Sequence, residues 1–119
     1  MTKSHFEKLS DLNIDFFESA KISLLDPLAL CLANDVKWIK LNGNWNSVKF
    51  PVVIGGEGQP ILLLHGFDSS FLEFRRIYKS LKRNFQVIVP DLLGFGFSPR
   101  CATNELNPSK IISYLIDLI

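Results

Sequence analysis

Four consecutive aliphatic residues, Ile61-Leu62-Leu63-Leu64, run directly into His65-Gly66-Phe67-Asp68-Ser69-Ser70. An all-apolar run bounded by Pro60 and a glycine reads as a strand buried on both faces, the kind found in helix-covered parallel sheets. Ser70 and Glu73 form a capping box, so a helix should open just past the Gly66 turn. Phe71, Phe74, Tyr78 and Leu81 carry that helix to about Arg83 on one apolar stripe. Phe85 to Val89 is a second apolar run, closed by Pro90-Asp91. Strand, helix, strand implies a parallel crossover. Strand, glycine turn and helix N-terminus together aim backbone N–H groups at something negatively charged.

The flanking segments are read the same way. Ser4 and Glu7 form a second capping box, opening a helix to about Ala20. Asp26 is a good N-cap and Pro27 suits the first helical position, giving a short helix from Pro27 to Ala33. Residues 1–34 are expected to be a helical appendage on a body formed by residues 35–119. Val36 to Leu41 reads as a strand ending in an Asn42-Gly43 turn. Ser47 to Ile54 reads as another, with Pro51 arguing for an edge position or a bulge. Asn107-Pro108 starts a last helix, with Ile111, Ile112, Leu115, Ile116 and Ile119 on one face. That helix has no C-terminal glycine or cation, so the chain reads as an N-terminal portion of something longer.

Composition narrows the class. A chain of 119 residues holds one domain at most. Its net charge of +1 gives no general reason to expect nucleic acid. The cations from Arg75 to Arg83 read as a solvated helix face, since no nucleic-acid motif accompanies them. Cys31 and Cys101 are expected to be reduced thiols of a cytoplasmic protein. The charged N-terminus is no secretion signal, and no apolar run is long enough to span a bilayer. No metal or cofactor is expected.

His65-Gly66-Phe67 after the first apolar strand, and Pro90-Asp91-Leu92-Leu93-Gly94-Phe95-Gly96-Phe97-Ser98 after the second, resemble the α/β-hydrolase superfamily over residues 36–119. The type looks most like the esterases, epoxide hydrolases and dehalogenases that carry a His-Gly turn. The resemblance implies an α/β fold: a mostly parallel sheet flanked by helices, with strands in the order 1-2-4-3-5. The first four of those strands would lie in this chain. It also implies an apolar small-molecule substrate. The backbone N–H of Phe67 would be one donor of the oxyanion hole, and a lost donor costs on the order of 3 kcal/mol. His65 would hold the turn, and Gly66 would permit a backbone shape that a Cβ would obstruct. Asp91 would bond N–H groups of the following loop, with Gly94 and Gly96 letting that loop pass beneath the turn. Phe67, Phe95 and Phe97 would line the substrate pocket, or else be ordinary core.

The resemblance also says what these residues lack. No Gly-x-Ser-x-Gly is present. Gly96-Phe97-Ser98-Pro99-Arg100 imitates it without the last glycine, so Ser98 is rejected as nucleophile. Neither His5 nor His65 fits the general base. The chain alone is therefore expected to be inactive, with a free strand edge at Ile61–Leu64 that invites self-association. Two other readings compete with the hydrolase. One is a non-catalytic binding protein on the same scaffold. The other is a nucleotide-binding module built on Gly94-x-Gly96-x-x-Pro99.

Overall fold

The computed structural model describes residues 5–41, 48–98 and 108–119. In chain order these form α1 (His5–Ile22), α2 (Pro27–Ala33), β1 (Val36–Lys40), β2 (Lys49–Gly55), β3 (Gln59–Leu62), α3 (Arg75–Leu81), β4 (Phe85–Pro90) and α4 (Pro108–Leu118), with a 3-10 turn at Phe71–Phe74 before α3. The Ser4 capping box and the Asn42-Gly43 turn lie outside the described residues, as does Cys101. Cys31 is a free thiol.

Local chemistry accounts for the element ends. Asp26 is extended at φ −77°, ψ 116°, and its Oδ1 accepts the Leu28 N–H at 2.9 Å. That bond holds the Asp26 carboxyl below the usual carboxylate range. Pro27 follows at the first helical position, where no N–H is needed. Ser70 caps the 3-10 turn through the Leu72 N–H at 3.2 Å. The capping box is only half made, because the Glu73 carboxylate turns away from the Ser70 N–H. The helix expected from Ser70 is therefore a 3-10 turn followed by α3.

The strands lie in the order β1-β2-β4-β3. Only β3 and β4 pair in parallel; β1 with β2 and β2 with β4 are antiparallel. The described sheet is thus mixed rather than mostly parallel. One face is covered by α1, α2 and α3, through a core containing Phe17, Leu32, Val53, Phe71, Tyr78, Val87 and Val89. The opposite face carries Phe50, Leu93 and Tyr114 of α4. On α4 the expected single apolar face is divided. Tyr114 is buried, whereas Ile112, Ile116 and Ile119 are exposed.

Two expectations about strands fail for identifiable reasons. Pro51 is buried in β2, an interior strand, not at an edge. Val52 pairs with Pro90, so Pro51 stands opposite Asp91, one step past the end of the β2–β4 ladder. The Pro51 carbonyl accepts the Asp91 N–H at 3.3 Å. The N–H that Pro51 lacks would have faced the Asp91 carbonyl. That carbonyl is instead satisfied by the Ser98 hydroxyl at 2.5 Å and the Tyr114 hydroxyl at 3.0 Å. The proline is tolerated because side chains replace its missing donor.

The second failure is Ile61–Leu64, which is not buried on both faces. Leu63 packs on the core, but Leu62 is 38% and Leu64 44% exposed. The Leu63 N–H bonds Ile88 O at 2.9 Å, so the N–H groups of Leu62 and Leu64 point away from β4. Among the described residues no strand lies on that side.

The α2, β1 and α3 elements meet at Asp35. Its carboxylate accepts the Tyr78 hydroxyl and the Lys82 ammonium, the latter at 2.9 Å. A Cβ at Gly55 would overlap both the Tyr78 hydroxyl and the Asp35 carboxylate. Gly55→Ala should therefore destabilise the fold by about 2 kcal/mol, the usual scale of core overpacking. The check is a lower urea midpoint with an unchanged slope.

Candidate functional site

The ends of β3 and β4 are neighbours because the two strands are paired, Leu62 opposite Ile88. The loop after each strand therefore emerges at the same end of the sheet. The His65 turn lies on one side and the Asp91–Ser98 loop on the other.

Asp91 joins them. It is fully buried, and its Oδ1 accepts the Phe71 N–H at 2.6 Å. Its Oδ2 accepts the Phe97 N–H at 2.8 Å. One carboxylate thus serves a donor from each loop, and N–H bonds to an ionised acceptor are the stronger kind. His65, 4% exposed, makes the second link. The Leu92 N–H donates to His65 Nε2 at 2.9 Å. Nε2 is therefore an acceptor, so Nδ1 carries the proton and donates to Gly66 O at 2.8 Å. The ring is neutral in this arrangement. A proton on Nε2 would displace the Leu92 bond, although Asp91 Oδ1 lies 3.8 Å away. With its acceptor nitrogen already engaged, His65 is not placed to act as a general base.

Two consecutive turns shape the second loop. The Phe95 N–H bonds Leu92 O at 2.9 Å and the Ser98 N–H bonds Phe95 O at 3.0 Å. Gly94 has φ 86° and Gly96 φ 55°, values that L side chains adopt at a cost. At Gly96 a Cβ would also collide with the Asp91 carboxylate. Glycine there is what lets the Phe97 N–H reach Asp91.

Gly66 behaves differently from the expectation. It has no positive φ, and a Cβ at that position would meet nothing within 4 Å. The left-handed residue of the turn is Asp68, at φ 58°. A short polar side chain tolerates that conformation, at a cost of about 1 kcal/mol. Two bonds to one oxygen of Glu73 span the turn. The Gly66 N–H donates to Oε2 at 3.2 Å and the Ser69 hydroxyl at 2.9 Å. Between these anchors, the Phe67 N–H donates no hydrogen bond among the described residues.

The three phenylalanines do not line one pocket. Phe67 is 88% exposed, and its ring meets that of Phe95 at 5.2 Å. Phe97 packs on the other side, edge to face against Phe17 at 5.1 Å and beside Phe71 at 6.2 Å. Phe95 buries its ring between Phe67 and His65, while Phe97 belongs to the core. Ser98 is 1% exposed and its hydroxyl is spent on Asp91 O, which removes it from consideration as a nucleophile. No cluster of metal-ligating side chains occurs among the described residues, and no described helix is long and apolar enough to cross a membrane.

Sequence reasoning missed the roles of Glu73, Ser98 and Tyr114. Glu73 was visible only as a capping-box partner. Ser98 and Tyr114 could have been found only from the strand register, which sets Pro51 against Asp91.

Residues 59–114 match the family model described as the alpha/beta hydrolase fold. A soluble epoxide hydrolase from Corynebacterium sp. is 40% identical over 58 residues, covering 49% of this chain and 20% of that protein. Lipase 3 from a Moraxella species is 46% identical over 62 residues, covering 52% of this chain and 19% of that one. The chain thus spans about a fifth of the length of these curated relatives. Among solved structures, the haloalkane dehalogenase DpaA from Paraglaciecola agarilytica superposes with a TM-score of 0.71 at 22% identity, covering 85% of this chain and 34% of that one.

Tyr114 offers a solution check on the network. Burial, reinforced by the Asp91 charge, pushes its phenol well above the ordinary tyrosine range. A folded-state value raised above the unfolded one means stability is fully present below the unfolded value of about 10 and lost as pH rises beyond it. The urea midpoint should fall as pH rises above about 10, and fall less in Tyr114→Phe.

Proposed function

Residues 59–114 of this chain belong to the α/β-hydrolase superfamily, and from that premise we propose that the His65 turn is the oxyanion-binding part of a hydrolase acting on an apolar small molecule. The observation that carries this reading is the Phe67 N–H. It sits in the turn that follows β3, between the Gly66 and Ser69 bonds to Glu73, and spends itself on no acceptor among the described residues. The open space beside Gly66 leaves room for a ligand atom to approach.

In acyl transfer a carbonyl oxygen gains charge as the tetrahedral intermediate forms. A donor fixed beforehand at that position lowers the barrier without reorganising. His65, Asp91 and Glu73 fix the backbone of the turn; the N–H of Phe67 meets the developing charge. The exposed Phe67 ring, stacked on Phe95, offers an apolar surface to the substrate's hydrocarbon part. Ester, epoxide and carbon–halogen substrates all suit such a site, and the relatives' names include hydrolases of more than one of these classes.

The nucleotide-binding reading fares worse. Gly94 and Gly96 form two tight turns around a buried carboxylate. That charge takes the Phe97 N–H and would repel a pyrophosphate. A non-catalytic binder on the same scaffold remains the alternative, and the coding sequence downstream of Ile119 separates the two. A Gly-x-Ser-x-Gly there, or the same elbow with Asp or Cys in place of Ser, together with activity in the longer protein, supports the hydrolase; the absence of all three supports the binder.

The 119-residue chain carries no such nucleophile motif. It should therefore hydrolyse p-nitrophenyl acetate no faster than buffer. Serine-reagent-sensitive turnover by the pure chain would contradict this. The N–H groups of Leu62 and Leu64, unpaired among the described residues and beside exposed side chains, also favour pairing between two copies along β3. Sedimentation should show mass rising with concentration; a monomer at all concentrations would refute it.

A further inference from the structure

We infer that Glu73 is a positioning residue, a strap that sets the shape of the His65 turn and so keeps the Phe67 N–H unspent. The inference rests on the proposed anion-binding role of Phe67 for its significance but not for its test. Glu73 lies in the 3-10 turn, seven residues past Gly66 and four past Ser69. One of its carboxylate oxygens receives a donor from each end of the four-residue turn, at 3.2 and 2.9 Å. Both donors would otherwise face water. Between them Asp68 holds φ 58°, which it does not adopt by preference.

Neither neighbouring link can do this work. Asp91 holds Phe71, beyond the turn, and His65 holds Gly66 through its carbonyl, leaving Ser69 and the Gly66 N–H to Glu73 alone. The side chain is exposed and takes no part in the core. Its reach, rather than burial, is what the turn requires. The strap also makes the Gly66 N–H unavailable as a rival donor, so Phe67 is the first amide past Gly66 left without an acceptor among the described residues.

The reach can be separated from the charge. Glu73→Gln keeps the length and an acceptor oxygen but loses the charge. Glu73→Asp keeps the charge but is one methylene too short to span both donors. Amide exchange in the 119-residue chain, followed by NMR, reads the result. We expect the Gly66 amide to be protected in the wild type and in Glu73→Gln. It should exchange roughly five- to tenfold faster in Glu73→Asp, the loss of one hydrogen bond's worth of protection. The Asp68 HN–Hα coupling should leave its left-handed value in Glu73→Asp alone. The Phe71 amide, held by Asp91, should stay protected throughout and reports that the fold is intact.

The strap is refuted if Gly66 protection and the Asp68 coupling are the same in Glu73→Asp as in the wild type. It is equally refuted if Glu73→Gln loosens the turn as much as Glu73→Asp does. Loss of Phe71 protection along with Gly66 would make Glu73 a general stabiliser, which also overturns the inference. None of these readings depends on an anion binding at Phe67, so the failure of one proposal leaves the other standing.

Discussion

The Asp91 carboxylate is the contact on which the two functional loops depend. It is buried at the end of β4 and accepts one N–H from the segment after β3 and one from its own loop. Removing a buried acceptor that serves two donors leaves both unsatisfied, at roughly 1–3 kcal/mol each. Its carbonyl is as important as its side chain. Because Pro51 lacks an N–H, that carbonyl recruits Ser98 and Tyr114, which ties α4 to the same residue. One position thus fixes the turn after β3, the loop after β4 and the helix on the opposite sheet face.

His65 complements this by linking the loops through bonds from its ring to backbone groups. Its two nitrogens are assigned opposite roles by their partners, an N–H from Leu92 and a carbonyl on Gly66. A neutral ring is the form that fits both, which makes the histidine a joint between strands rather than a proton carrier. The consequence is a turn held at Gly66 and Ser69, whose Phe67 amide has no acceptor among the described residues. Preorganisation of that kind suits a site that must meet charge late in a reaction.

Much of the scaffold is legible in the residues themselves. Asp26-Pro27 gives the start of α2 to the residue, because capping is local chemistry. The two aliphatic runs give adjacent parallel strands, because burial and crossover length leave few alternatives. What is not legible depends on register and on neighbours distant in sequence. Pro51 reads as an edge residue until Asp91 is seen opposite it. Gly66 reads as the strained residue of the turn, whereas the strain sits two residues later at Asp68, between the two donors that Glu73 holds. Phe67, Phe95 and Phe97 look alike in a list, yet α1 supplies Phe17 to bury one of them. Leu62 and Leu64 look like core and stay half exposed, because nothing among the described residues covers their face of β3.

The central claim is that the turn after β3 is held through Gly66 and Ser69 while its Phe67 amide is left free to donate. Solvent exchange of individual amides in the wild-type chain tests it most directly. The account predicts that Phe71, Leu92 and Phe97 are protected while Phe67 exchanges at nearly the rate of an unstructured peptide. A Phe67 amide as protected as those three would show that its hydrogen is already committed, and the oxyanion role would have to be abandoned.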